Sequence, residues 1–103
     1  MIVRIWTTGL VAGCRATYQA FAESVSLPMF RRQSGLRGVH VLVQAGQSQV
    51  LTYWDDAPSI TRMEQSADYQ ATVAQLGQAQ VLQGPQRVEL FDCALGFFIP
   101  DAP

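Results

Sequence analysis

A chain of 103 residues with a net charge of −1 and only 15% charged residues is the size of one domain, and it gives no electrostatic reason to bind nucleic acid or an anionic membrane. All seven basic residues are Arg; without Lys, Schiff-base chemistry is excluded except at the chain terminus. One His and two cysteines, Cys14 and Cys93, far apart and outside any CxxC spacing, predict no metal site.

The two cysteines are expected as buried or half-buried free thiols. The first residues, MIVRIWTTGLVAG, have neither the basic leader nor the long apolar core of a signal peptide. No apolar run approaches the roughly 20 residues of a membrane span, so a cytoplasmic protein is the expectation. With 49% apolar residues and few charges, the composition leans towards an oligomer.

Met1 to Thr8 reads as the first strand, rich in β-branched and aromatic residues. After a turn bracketed by Gly9 and Gly13, Ala16, Phe21, Ala22 and Val25, flanked by Tyr18, suit a helix over Arg15 to Val25 with one buried stripe. Pro28 is expected to interrupt it, with Met29-Phe30 opening a short segment that ends at Gly35. Leu36–Gln44 and Gln47–Trp54 form a hairpin about Ala45-Gly46, which would pair Val41 with Val50 and His40 with Leu51. Asp56 is the N-cap of the next helix and Pro58 sits in its first turn. That helix runs to about Met63, breaks near Ser66, and resumes through Tyr69, Val73 and Leu76. A Gln-rich connection closes at Gly84-Pro85, and Gln86 to Cys93 is the fourth strand.

This order predicts an α+β, ferredoxin-like βαββαβ unit over residues 1–93. Four antiparallel strands would carry two helices on one face, and residues 94–103 would form a tail. Parity along the strands assigns Val3, Ile5, Val39, Val41, Val43, Val50, Val88 and Leu90 to the face that receives the helices. The other face would then hold Ile2, Arg4, Trp6, His40, Leu42, Leu51, Tyr53, Glu89 and Phe91. Such a face is too apolar for water, and a second copy of the chain is the economical cover: a homodimer closing a barrel with a cleft for a small aromatic or hydrophobic ligand. Two readings of that face stay open. Trp6, Tyr53 and Phe91 fill a dimer interface, His40 is an interior hydrogen-bonded histidine and Arg4 pairs with Glu89; or the polar trio marks a binding site. In the tail, Phe97, Phe98 and Ile99 are expected to dock, across the partner or over the barrel mouth, with Gly96 giving the turn.

The opening strand IVRIW, the GLRGVHVL strand, the YWDD junction and Tyr69 together resemble the antibiotic-biosynthesis-monooxygenase family, over Met1 to about Cys93. That resemblance implies a dimeric α/β barrel. Members of the family oxidise polycyclic phenols with dioxygen and no cofactor, degrade haem, or act on quinols. The haem-degrading branch is not expected: Met63 and Val73 stand where its Trp and His should be, and the chain has no Asn. The phenol-oxidising branch relies on Asn, Trp, Tyr and Arg side chains, of which this chain offers Trp54, Tyr69 and several Arg. The implied function is a cofactor-independent monooxygenase acting on a small phenol or quinol. His40 would serve as general base, Arg4 would stabilise the phenolate, and Trp6, Tyr53, Trp54, Tyr69 and Phe91 would line the substrate. The rivals are a non-catalytic ligand-binding or stress-associated dimer of the same fold and a pure assembly domain.

Overall fold

A computed structural model describes residues 1–100 of the protein. Its elements are β1 (Ile2–Leu10), α1 (Arg15–Phe21), α2 (Leu27–Arg31), β2 (Leu36–Gln44), β3 (Gln47–Trp54), α3 (Ala57–Gln65), α4 (Ala67–Gln78) and β4 (Leu82–Asp92). The sheet is antiparallel in the order β2-β3-β1-β4, and the helices cover one face, so the ferredoxin-like architecture is as the sequence predicts. No helix among the described residues is long and apolar enough to cross a membrane.

The hairpin register is the expected one. Val41 lies opposite Val50 and His40 opposite Leu51, and Gly46 takes the left-handed φ of 74° that the tight turn requires. Asp56 caps α3, its carboxylate accepting from the Ser59 N–H at 2.9 Å. Ser66 both ends α3 and caps α4, accepting from the Tyr69 N–H at 3.1 Å. The break puts Glu64 near the end of α3 and Tyr69 in the first turn of α4, and both reach Arg4 of the sheet.

Four expectations need correction. Pro28 does not end the first helical segment. The chain stays helical from Arg15 to Arg31 by widening into a π turn at Ala22–Ser26, where the Leu27 N–H donates to the Ala22 carbonyl five residues back. Pro28 has no N–H to give and its ring crowds the carbonyl four residues earlier; the wider turn relieves both. The fourth strand begins at Leu82, ahead of Gly84-Pro85. β4 is a sheet edge, so Pro85 forfeits no ladder bond there, and its pairing with β1 shifts register between Thr7 and Gly9. Gly9 is needed at that bulge, because a Cβ would collide with the Gln83 carbonyl. The thiols also differ from expectation: Cys14 is half-buried, but Cys93 is exposed beyond the end of β4.

The correction with most consequence concerns β1. Arg4 lies opposite Thr52 and Trp6 opposite Val50, so Ile2, Arg4 and Trp6 face the helices, while Val3 and Ile5 face away. Directly opposed residues in an antiparallel pair share a face, and a one-residue slip inverts all of them. Both faces of β1 are largely apolar, so alternation alone carried no sign. The core beneath the helices gathers Met29, Phe30, Val50, Trp54, Ile60 and Met63, with Leu10, Tyr18 and Val81 in a second cluster.

Candidate functional site

Between the sheet and the helices lies a cavity of about 50 Å³, with Arg4 and Trp6 on its floor and Met29, Phe30, Tyr69 and Val73 among its walls. β1 supplies the floor because its helix-side residues are large and spaced by two. The walls come from the helical segment 15–31 and from α4. The π turn contributes Ala22 and Ser26 to the same wall; a turn with one extra residue shifts which side chains point inward, and such turns recur at functional sites.

Arg4 is the charged group of this cavity and is only 3% exposed. Its Nε and Nη2 each lie 3.2 Å from one Glu64 oxygen, Oε2, and Nη2 also donates to the Tyr69 hydroxyl at 3.1 Å. Nη1 makes no hydrogen bond among the described residues, and no fully buried side-chain nitrogen among them is left unpartnered, so Nη1 is not completely enclosed. The Trp6 indole N–H reaches the Gln86 side-chain oxygen at 3.2 Å.

Tyr18 presents a second phenol but not a free one. Its oxygen is 2.8 Å from Ser48 Oγ, which is also 2.9 Å from the Leu42 carbonyl. Ser48 has one proton and both neighbours can accept it, so the Tyr18 phenol is held by Ser48 in either arrangement. Burial, the larger influence, pushes the Tyr18 phenol above its ordinary 10.0, against a smaller opposing effect of Ser48. It stays protonated at neutral pH. Above the cavity, Arg32 grips both oxygens of Asp68 at 2.8 Å, tying the end of α2 to the first turn of α4. Hydrogen bonding from Arg32 chiefly holds the Asp68 carboxyl below its usual range.

The residues expected at one site divide three ways. Arg4, Trp6 and Tyr69 meet at the cavity. His40, Tyr53, Glu89 and Phe91 lie on the opposite face of the sheet. There His40 Nδ1 is 3.3 Å from the Tyr53 hydroxyl, and Glu89 pairs with Arg87 rather than Arg4. Trp54 belongs to neither group: it is fully buried in the core, its indole N–H 2.8 Å from the Thr52 hydroxyl. Sequence reasoning missed Glu64, Met29, Phe30 and Thr72. The spacing of Tyr18, Ala22, Met29 and Phe30 would mark one helix face only once the extra residue of the π turn is counted. Nothing local singles out Glu64.

On the open face the tail reaches back, and the Phe98 ring stands edge-on to Tyr53 with centroids 5.3 Å apart. Leu95, Phe97, Phe98 itself and Ile99 all remain exposed, so within one chain the tail makes this ring contact but is not buried as expected. The expected tail also includes residues 101–103, which lie outside those described.

No protein-family model matches the sequence, and no curated protein does. Solved structures do match in fold. A candidate antibiotic biosynthesis monooxygenase from Bordetella bronchiseptica superposes with a TM-score of 0.79 at 21% identity, over 91% of this chain and 97% of that one. A protein of unknown function from Nitrosomonas europaea gives 0.78 at 17% identity, over 97% and 95%. A variant of SnoaB, a cofactor-independent oxygenase from Streptomyces nogalater, gives 0.72 at 13% identity, over 92% and 94%. At these identities the likeness is one of fold, and the fold is that of the antibiotic-biosynthesis-monooxygenase structures.

Proposed function

We propose that the chain is a dimeric, cofactor-independent oxygenase that takes a small phenol or quinol between its helices and its sheet. The observation that supports this most is Arg4, a buried guanidinium with an unpartnered edge in an otherwise apolar cavity, beside the Tyr69 hydroxyl and the Trp6 indole. A phenol is a poor reductant and its anion a good one. A fixed positive charge in a dry site favours the anion far more than the same charge in water. The substrate supplies every electron. A phenol with a free para C–H gains one atom of dioxygen as a ring carbonyl, and its para and phenolic hydrogens leave with the other atom as water, whereas a hydroquinone reduces dioxygen to hydrogen peroxide and leaves as the quinone.

The cavity must widen to take a ring, since about 150 Å³ is the scale at which an apolar cavity holds benzene. α4 suits that movement, with Thr72 its one buried residue and the exposed Val73 at the cavity wall. The dimer reading draws support from the open sheet face, where Leu42 is 45% and Phe91 52% exposed.

Oxygen uptake with simple hydroquinones and naphthols tests the proposal: uptake by the wild type that is lost in Arg4→Gln supports it, and no uptake with any of them removes it. The rival reading, a non-catalytic ligand-binding dimer, has one observation in its favour. The residues lining the cavity include neither His nor a carboxylate to take the phenol's proton, and the nearest carboxylate, Glu64, is already paired with Arg4. Ligand binding without oxygen uptake would favour it.

A further inference from the structure

Resting on the reading of this cavity as a ligand site, we propose that Glu64 is an exchangeable counter-ion for Arg4, and that the ligand is an arene carrying an anionic oxygen which replaces it. The molecule contains its own standard for a committed Arg–carboxylate pair. Arg32 meets both oxygens of Asp68, each at 2.8 Å, the parallel fork that suits a guanidinium and a carboxylate. Arg4 has no such fork. Nε and Nη2 share one oxygen of Glu64 at 3.2 Å, longer than the 2.7–2.9 Å usual for charge-assisted bonds, and Nη1 is left over.

Burial makes the contrast sharper. Arg4 is 3% exposed and Glu64 41%. A guanidinium cannot shed its proton, so once buried it must keep an anion or strong acceptors near it. Glu64 meets that need in the resting protein while standing half in water. Its release therefore leaves no carboxylate buried without a partner. An incoming carboxylate or phenolate could use the free Nη1 edge and the Tyr69 hydroxyl, while its ring takes the place of the apolar gap. A neutral ring of equal shape could not displace Glu64, because Arg4 would then be buried with no anion. Glu64 thus sets the charge of the ligand as well as balancing Arg4.

Calorimetric titration of benzoate and of benzamide, two planar arenes of the same shape that differ in charge, tests this in the wild type and in Glu64→Gln. Glu64 is half-exposed, so the variant is expected to fold, and a melting curve checks it. Benzoate should bind the wild type and bind Glu64→Gln at least about tenfold more tightly, the scale of one charge-assisted hydrogen bond no longer contested. Benzamide should bind more weakly than benzoate and respond little to the substitution. Equal benzoate affinity in the two proteins, or benzamide binding as tightly as benzoate, overturns the exchange while leaving the ligand site standing. If neither compound binds either protein, the ligand reading of the cavity falls and this inference falls with it.

Discussion

Arg4 and His40 lie on opposite faces of one sheet: Arg4 is paired with Thr52 and His40 with Leu51, and Thr52 and Leu51 are neighbours on β3. Successive strand residues point to opposite sides. A base and an anion-stabilising Arg separated by a sheet cannot act on the same bound ring. His40 belongs with Tyr53 and Phe98, and Arg4 with Tyr69 and Glu64.

His40→Ala should therefore leave ligand affinity, and any oxidation rate, within about twofold of the wild type. The pH dependence of the rate should be the same in the two proteins. Steady-state oxygen uptake from about pH 5.5 to 8 in both proteins is the check. A loss of two orders of magnitude in the variant, the scale of a removed general base, would return His40 to the site.

Trp54 should matter to stability and not to binding. It is fully buried and its N–H is satisfied by the Thr52 hydroxyl. Trp54→Phe removes volume and leaves that hydroxyl without its indole partner, at a cost of roughly 2–4 kcal/mol. Urea denaturation should show the fall, with benzoate affinity unchanged. A variant as stable as the wild type that no longer binds ligand would make Trp54 a site residue after all.

Acid should loosen the helical layer before it reaches the strands. Hydrogen bonds from the Ser59 side chain and backbone hold the Asp56 carboxyl below its usual range, and Arg32 does the same for Asp68. A carboxyl depressed in the folded state stabilises the fold above the unfolded pKa of ~3.9, and that contribution is lost as pH falls through the lower folded value. Melting temperature measured from pH 6 downwards should thus stay level to about pH 4 and then drop, with a shallower drop in the Asp56→Asn, Asp68→Asn double variant. Parallel curves would mean that neither carboxyl contributes to the acid limb.

Much of the fold could be read directly. Asp56 as a cap, Ser66 as a break and Ala45-Gly46 as a turn are local features, set by side-chain hydrogen bonding and by the freedom of Gly at positive φ, and they fall where the sequence predicts. The facing of β1 could not be read, because Val3 and Ile5 on one side and Ile2 and Trp6 on the other are equally suited to burial. The partner that decides the matter for Arg4 is Glu64, 60 residues away. The π turn was hidden for a related reason: Pro28 signals a disturbance of the helix, but only packing of Met29 and Phe30 decides between ending it and widening it. The candidate site was therefore legible as a set of residue types and illegible as a place.

The open sheet face should be covered by a second copy of the chain, burying on the order of 1,600 Å² in total. Light scattering at micromolar concentration should report a dimer, and Leu42→Glu should shift it to monomer without unfolding it. Truncation after Cys93, which removes Phe98 from Tyr53, should lower the melting temperature or weaken the dimer. A wild-type monomer would remove the dimer; a truncated chain with unchanged mass and melt would mean that the tail does nothing for the fold.

The central claim is that ligand binds on the helix side of the sheet, at Arg4. Amide and indole chemical shifts, followed by NMR during titration with benzoate, test it most directly. The account predicts that the shifted signals gather at Arg4, the Trp6 indole, Tyr69, Thr72 and Val73, and along Ala22–Ser26. Shifts gathered instead at His40, Leu51, Tyr53 and Phe91 would put the ligand on the open face and contradict it.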